Sequence, residues 1–244
     1  MPDGITYLGH ATVGLRLDGT SLLTDPVLRR RVGLLRRHGP EPRVPERLDA
    51  VLLSHLHRDH ADLPSLRRLD GSTPILAPPG AALFLAQRGF GAVRELGPRG
   101  SAEVGALTVS AVEAVHGGRG SRGAGAVGFL VEGSRRIYFA GDTDLFPGMA
   151  ELGPVDVALL PIWGWGPNLG PGHMNPERAA RAAALIEPRV VVPIHWGTLY
   201  PWRLERVRPG PLTGPPRAFA YWLQRLAPQV ELRVLEPGES TSLP

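Results

Sequence analysis

The segment Ser54-His55-Leu56-His57-Arg58-Asp59-His60-Ala61-Asp62 decides the interpretation of this chain of 244 residues. It follows a compact apolar run, 49–53, which predicts a buried β-strand. Imidazole nitrogens and carboxylate oxygens are the donors that zinc and its neighbours bind in proteins. In an extended segment His55 and His57 project to the same side, and a turn after them brings Asp59 and His60 to a second point nearby. The segment therefore predicts the beginning of two metal sites.

Three further polar residues follow apolar runs elsewhere in the chain. His116 ends the alternating run 107–115, Asp142 comes shortly after a second predicted strand, and His195 comes directly after a third. Strand ends gather at one edge of a sheet, where ligands bind in folds of sheets and helices. Two metals that share one carboxylate need about seven ligands, which is the number that these segments supply. The seven candidate ligands are His55, His57, Asp59, His60, His116, Asp142 and His195.

The composition narrows the classes of function. The chain has no cysteine, so disulfides and thiolate ligands are excluded and a metal site must use His, Asp or Glu. The net charge is only +4 and the 27 basic residues are all arginine, so we expect no nucleic-acid partner. No apolar run approaches the roughly 18 residues of a membrane span, and residues 1–4 lack the basic start of a signal peptide. We therefore expect a cytoplasmic protein.

No repeat, linker or change of composition divides the chain, so we expect one domain over residues 1–244. Residues 26–47 contain four prolines and predict a long loop, which at this length is functional or disordered. The predicted strands cover 5–17 and 21–25 as a hairpin, 49–53, 74–77, 107–115, 127–131, 136–139, 155–162, 190–194 and 230–235. The predicted helices cover 63–69, 81–88, 145–152, 176–186 and 217–226.

The order and spacing of the candidate ligands resemble the metallo-β-lactamase superfamily over nearly the whole chain. The resemblance implies an α+β fold, a four-layer αβ/βα sandwich with a dinuclear metal site along one edge of its two sheets. It also implies how the ligands divide between the metals. His55, His57 and His116 match the ligands of the first metal, Asp59, His60 and His195 match those of the second, and Asp142 matches the bridging carboxylate.

Motifs outside the ligands are similar to the UlaG-like branch of that superfamily, which includes ascorbate-phosphate lactonase and the N-acyl-phosphatidylethanolamine phospholipase D. The motifs are YLGHATV at 7–13, TDP at 24–26, GHMNPE at 172–177 and PIHWGT at 193–198. A lone histidine in a strand is more often structural, but this resemblance favours His10 as an active-site residue or a neighbour of the ligands. No long insertion separates Asp142 from His195, so the nucleic-acid-processing domains of the β-CASP nucleases are missing.

We therefore expect a hydrolase in which two divalent cations lower the pKa of a bridging water, so that hydroxide attacks an ester, a lactone or a phosphodiester. Zinc is the first expectation for the metal, and manganese and iron also suit the ligands. Asp59 is the hypothesised acceptor of the nucleophile's proton. His173 is the candidate proton donor or oxyanion contact, with a surface histidine as the alternative. Asp25 is expected to orient a ligand histidine.

The sequence does not identify the substrate. Arginines between Arg29 and Arg37 form either a solvated surface or a rim that holds an anionic substrate. With Arg119 or Arg122, they favour an anionic, phosphate-bearing small molecule. A phospholipid phosphodiesterase is an alternative in which 26–47 also contacts a membrane, and it predicts that Leu34 and Leu35 are exposed. A metal-stabilised binding module is a further alternative, and a homo-oligomer is compatible with each. Aromatic residues that wall a pocket or fill the core are Trp163, Trp165, Trp196, Tyr200 and Trp202.

Overall fold

The computed structural model describes residues 3–45, 47–116 and 123–244. The strands are β1 Gly4–Gly9, β2 Thr12–Leu17, β3 Thr20–Thr24, β4 Arg31–Val32, β5 Leu35–Arg37, β6 Ala50–Leu52, β7 Ile75–Ala77, β8 Val93–Glu95, β9 Ser101–Val104, β10 Leu107–Glu113, β11 Val127–Glu132, β12 Arg136–Phe139, β13 Val157–Pro161, β14 Val190–Ile194, β15 Leu199–Pro201, β16 Glu231–Leu232 and β17 Ser240–Ser242. The helices are α1 Leu63–Leu66, α2 Ala81–Ala86, α3 Pro176–Ile186, α4 Gly210–Thr213 and α5 Pro215–Leu226, with short 3-10 turns at Pro147–Glu151 and Leu204–Arg206.

Two large sheets carry most of the strands. The first has the order β17-β1-β2-β3-β6-β7-β8 and the second the order β16-β14-β13-β12-β11-β10-β9. Strands β3, β6, β7 and β8 are parallel, as are β12, β13, β14 and β16. Because the carboxyl ends of parallel strands lie at one edge, the residues that follow β3, β6, β12 and β14 are brought to the same side of the molecule.

Three apolar clusters define the layers. The largest contains side chains of both sheets, such as Leu22 and Leu52 from the first and Phe129 and Val192 from the second. A second cluster packs α3 and α5 on the outer face of the second sheet. The third packs α1 and α2 on the outer face of β6 and β7. Helices therefore flank two stacked sheets, and the predicted four-layer αβ/βα sandwich is confirmed.

Helix α3 begins within the GHMNPE motif and has the N-terminus that its sequence predicts. The Asn175 side chain accepts a hydrogen bond from the Arg178 N–H (2.8 Å), and Pro176 occupies the first helical position. Asparagine at the N-cap and proline at the next position are the preferred residues there, because the side chain satisfies a free backbone donor and the ring presets φ. This cap fixes the segment that carries His173.

Some predicted elements were wrong in type or extent. The run 5–17 is two antiparallel strands, β1 and β2, because His10 adopts a left-handed conformation (φ 59°) and reverses the chain. The predicted loop 26–47 contains β4 and β5, which form a three-stranded sheet with β15. The helix predicted over 63–69 is the single turn α1, and 145–152 holds a 3-10 turn. Short strands such as β8, β9 and β17 were missed.

The helices are short compared with a bilayer. Among the described residues, none combines the length and the apolar character that crossing a membrane requires.

Candidate metal centre

The strand ends bring the seven candidate ligands together, as the sequence predicted. His55 follows β6, Asp142 follows β12 and His195 follows β14. Close approach of two strand ends is permitted by Gly141, where an added Cβ would lie 2.5 Å from the Ser54 Cβ. Gly141 also has φ +62°, a conformation that glycine adopts without strain.

One group of donors consists of His55, His57 and His116, called triad A here. The His57 Nδ1 lies 3.0 Å from the His55 Nε2 and 3.0 Å from the His116 Nε2. A tetrahedral cation bound at about 2.0–2.1 Å separates its ligand atoms by about 3.3 Å. The spacing of triad A therefore suits a shared cation.

A second group, triad B, consists of Asp59, His60 and His195. The Nε2 atoms of His60 and His195 are 3.0 Å apart, and they lie 3.6 and 3.7 Å from the Asp59 Oδ2. These separations also match the edges of a metal polyhedron. Triad B is buried, whereas His57 and His116 of triad A are partly exposed.

Asp142 lies beside both groups. Its Oδ2 is 3.4 Å from the Nε2 of His60 and 3.4 Å from that of His195. It also belongs to a cluster with His116, in which the donor atoms lie within 4.8 Å of one another. The Asp142 Oδ1 is buried and has no hydrogen-bond partner among the described residues. The Asp142 carboxylate therefore lies next to triad B and to His116 of triad A.

Hydrogen bonds on the far side of the rings turn the lone pairs of neutral imidazoles inward. The His195 Nδ1–H donates to the Trp163 carbonyl (2.9 Å) and the His116 Nδ1–H to the Gly172 carbonyl (2.8 Å). The His60 Nδ1–H donates to the Asp25 carboxylate (2.7 Å). In the neutral form of each ring, the lone pair of the Nε2 then faces the other ligand atoms. Such convergence of lone pairs is favourable around a cation, so these residues fit a metal centre.

Asp25 organises both triads. It accepts from the Ser54 N–H (2.7 Å) and the Ser54 Oγ–H (2.6 Å) in addition to His60. Since the Ser54 hydroxyl donates its hydrogen bond to Asp25, the Ser54 oxygen can accept a hydrogen bond from the His55 Nδ1–H (3.0 Å). The predicted orienting role of Asp25 is supported by these contacts. Ser54, which precedes the histidines in the motif, was not predicted as part of the site.

His10 lies within the site. It is fully buried, its Nε2–H donates to the Asp59 Oδ2 (3.0 Å), and its ring centroid is 3.9 Å from that of His195. Its own N–H is held by the Thr198 hydroxyl (3.0 Å). Gly172 and Thr198 lie in the motifs GHMNPE and PIHWGT, but their roles as hydrogen-bond acceptors, and that of the Trp163 carbonyl, were not predicted.

The electrostatic potential of the cluster favours cation binding. Burial opposes ionisation of Asp59 and Asp142, but nearby imidazoles, first His60 for Asp59 and His195 for Asp142, hold the pKa of both carboxyls well below the usual range. Burial lowers the pKa of His10 to about 3 and that of His55 well below its usual value. Burial also opposes protonation of His60, yet Asp25 and Asp59 raise its pKa well above normal. The negative potential responsible for that rise attracts a metal cation equally.

His173 lies at the open side of the cluster. Its Nε2 is 3.2 Å from the Asp142 Oδ2, and its Nδ1 lies 3.0 Å from the carbonyl oxygen of Pro171. Burial lowers its pKa, but Asp142 outweighs this and raises the pKa to about 9. An adjacent cleft of about 340 Å³ is lined by His173, Trp163, Leu169 and Arg178, among others. His173 is therefore accessible from a cleft, rather than lying apart on the surface.

Three of the arginines expected to bind an anion have structural contacts instead. Arg29 pairs with Asp62 (2.6 Å) and Arg30 with Glu41 (2.7 Å). Arg37 is buried and donates to the carbonyls of Leu8 (2.9 Å) and Val27. Arg119 and Arg122 lie outside the described residues.

The aromatic residues do not form one wall. Trp196 is buried and stacks on Tyr7 with a centroid separation of 6.4 Å, and Tyr200 is buried as well. Trp165 and Trp202 are exposed. Trp163 remains as the aromatic residue of the predicted group that lines the cleft beside His173.

A four-layer sandwich with convergent His and Asp donors at its strand ends defines a metal-dependent enzyme. The chain belongs to the metallo-β-lactamase superfamily, because the family model described as "Beta-lactamase superfamily domain" matches residues 20–196. The predicted superfamily is thereby confirmed.

Relatives indicate the class of reaction. The chain is 34% identical over 247 residues to a UPF0173 metal-dependent hydrolase of Methanopyrus kandleri, covering 97% of this chain and 98% of that protein. It is 34% identical over 230 residues to the N-acyl-phosphatidylethanolamine-hydrolyzing phospholipase D 1 of Caenorhabditis elegans, covering 80% of this chain and 64% of that protein. The solved structure of Igni18, a metallo hydrolase of Ignicoccus hospitalis, shares 26% identity with a TM-score of 0.75 over 98% of this chain and 97% of that one. The chain is a metal-dependent hydrolase.

Proposed function

We propose that this hydrolase uses two divalent cations, zinc by preference, to cleave an ester, lactone or phosphodiester bond in an anionic small molecule. The observation that carries the proposal is the pair of triads with Asp142 beside both. His55, His57 and His116 would hold one cation, and Asp59, His60 and His195 the other. Bound there, the cations would supply hydroxide at neutral pH and neutralise charge that develops on oxygen.

Asp59 would accept the proton of the attacking water. Its Oδ2 faces the Nε2 atoms of His60 and His195 and is held by the His10 Nε2–H (3.0 Å). That hydrogen bond fixes the carboxylate, so His10 acts by positioning Asp59. A general base must lie within hydrogen-bond reach of the proton that it removes, and Asp59 is the carboxylate of triad B.

His173 would donate a proton to the leaving-group oxygen. Contacts of its Nδ1 with backbone carbonyls fix the ring, so that its Nε2 is directed toward Asp142 at the cleft. A donor between the cleft and the cluster can reach the bond that is cleaved. This geometry supports His173 as a catalytic acid.

An anionic substrate is supported by a basic cleft of about 390 Å³, whose lining includes Arg58, the residue before Asp59 in sequence. The cleft is also lined by Arg29 and Arg88. Asp62 is the carboxylate in this lining. The excess of positive charge favours a carboxylate or phosphate on the substrate.

A phospholipid phosphodiesterase is the second candidate. The similarity to the Caenorhabditis elegans phospholipase D supports it. The prediction that Leu34 and Leu35 are both exposed was half wrong, since Leu34 is 86% exposed whereas Leu35 is buried. The binding-module alternative does not agree with the hydrolase relatives, and the partly exposed His57, His116 and His173 give the cluster an opening. The cytoplasmic location stays a prediction.

The test is a hydrolysis screen of zinc- or manganese-loaded protein against phosphodiesters, phospholipids, lactones and phosphorylated lactones. We expect turnover of one class, loss of at least about 10³-fold in Asp142→Ala, and fewer bound metals by elemental analysis. Asp70→Ala, in an exposed turn, is the matched control. If Asp142→Ala retained both metals and its turnover, the dinuclear proposal would be wrong.

A further inference from the structure

Three large apolar side chains are exposed on two segments that a backbone hydrogen bond joins, residues 31–36 and 202–208. Leu34 lies at the tip of the β4–β5 hairpin, and Trp202 and Val207 follow β15, with exposed fractions of 52% and 74%. The Trp202 N–H donates to the Leu34 carbonyl (3.1 Å), which holds the tip beside the second segment. Exposed apolar groups that cluster in this way mark an interaction site. We call the exposed faces of 31–36 and 202–208 the hairpin surface.

The hairpin surface is strongly basic. The guanidinium carbons of Arg31 and Arg203 each lie 5.0 Å from the centre of the Trp202 ring. In contrast to Arg29 and Arg30, the arginines of this surface have no ion-pair partner among the described residues. Glu205 is the acidic residue of the two segments. The exposed arginines are Arg31, Arg36, Arg203, Arg206 and Arg208.

The strands that carry the hairpin surface are also connected to the candidate metal centre. Strand β5 pairs with β15, and Thr198, directly before β15, binds the His10 N–H and accepts from the His38 N–H (2.7 Å). His195 precedes the same segment. The hairpin surface is therefore connected through β5 and β15 to the segment that holds His10 and carries His195.

We propose that the hairpin surface docks the protein on a bilayer that contains anionic phospholipids. Leu34, Trp202 and Val207 would enter the headgroup region, and the arginines would contact lipid phosphates. An indole between two guanidiniums suits this depth, where tryptophan is enriched. The inference does not depend on which bond the enzyme cleaves.

Two other partners fit the hairpin surface less well. A symmetric contact with a second copy would bring the unpaired arginines of both copies together, and like charges repel. Single-stranded nucleic acid would use the arginines and the indole, but the exposed Leu34 and Val207 have no counterpart among phosphates and sugars. Acyl chains provide that counterpart.

The experiment is vesicle co-sedimentation of the metal-loaded full chain. Phosphatidylcholine vesicles are compared with vesicles of phosphatidylcholine mixed with phosphatidylglycerol. We expect binding to the anionic vesicles, about tenfold weaker partitioning of Leu34→Ser/Val207→Ser, and about fivefold weaker, less salt-sensitive binding of Arg203→Gln/Arg206→Gln. Leu83→Ser removes a leucine of similar exposure (70%) from α2 and should bind like the parent protein.

Turnover of a water-soluble substrate separates docking from catalysis, because Leu34→Ser/Val207→Ser should retain it. Absence of vesicle binding, or equal binding by the parent and this variant, would overturn the inference whatever the enzyme hydrolyses. Two further outcomes would also overturn it. They are a dimer that the variant dissociates in size-exclusion chromatography, and binding of single-stranded DNA without binding of vesicles.

Discussion

Triad A and triad B offer similar donors but differ in how firmly the protein holds them. In triad B, the Nδ1 atoms of His60 and His195 donate to Asp25 and to the Trp163 carbonyl, and the Asp59 carboxylate is held by His10. In triad A, His57 is partly exposed, and its buried Nε2 has no hydrogen-bond partner among the described residues. The protein therefore fixes triad B through its surroundings, while the ring of His57 is held by fewer contacts.

This difference suggests that the two triads differ in metal affinity and in access to the substrate. Outer hydrogen bonds orient ligand rings and commonly change metal affinity by about 10- to 100-fold. Triad B, which is buried and carries a carboxylate, should bind its cation more tightly. Triad A faces the opening near His173, so its cation would be the one that exchanges and meets the substrate.

The largest effects should come from removal of one ligand in each triad. We expect His57→Ala and His60→Ala each to lower kcat/KM by about 10³-fold or more, equivalent to about 4 kcal/mol. The variants should differ in metal content at limiting zinc. His57→Ala should retain close to one equivalent in triad B, whereas His60→Ala should lose the tighter site. His38→Ala alters a histidine that lies outside the cluster and serves as the control. Equal metal content in the two variants would remove the proposed asymmetry.

Substitution of His173 should have a smaller effect, because this residue lies at the cleft and belongs to neither triad. We expect His173→Ala to lower kcat by about 10²-fold, in the range for loss of a general acid, with a smaller change in KM. Both metals should remain by elemental analysis. A substrate with a good leaving group should recover most of the loss. If kcat is unchanged, His173 has no part in the chemistry.

The sequence predicted the candidate metal ligands more completely than the groups that hydrogen-bond to them. The ligands could be predicted because each is a chemically distinctive side chain that comes after an apolar strand, and strand ends meet at one edge. His55 and His60 also lie in one short motif. The groups that hold them were less visible, since the carbonyls of Trp163 and Gly172 are backbone atoms and any residue provides one.

The errors in the fold have a related cause. Strands β4 and β5 have only two and three residues and are stabilised by pairing with β15, which is distant in sequence. Periodicity over so few positions carries no signal. The arginines near β5 were predicted to bind an anion, but burial of Arg37 against backbone carbonyls depends on that same distant pairing. The local sequence pattern therefore predicted the ligands, whereas β4, β5 and the contacts of Arg37 depend on pairing with a segment distant in sequence.

The smallest effects concern the residues that orient the ligands. Asp25→Asn preserves the shape of a buried side chain but removes its charge. Oδ1 accepts from the Ser54 N–H, and Oδ2 accepts from both the Ser54 Oγ–H and the His60 Nδ1–H, so an amide nitrogen at either position leaves at least one donor without an acceptor. We expect about 10- to 100-fold weaker zinc binding in triad B, measured by competition with a chromogenic chelator. Ser54→Ala removes the acceptor for the His55 Nδ1–H and should weaken triad A by a factor of about ten or less. Because triad A is already the weaker site, Asp25→Asn should narrow the gap between the two affinities and Ser54→Ala should widen it. If both variants shifted the two affinities in the same proportion, the triads would behave as one coupled site.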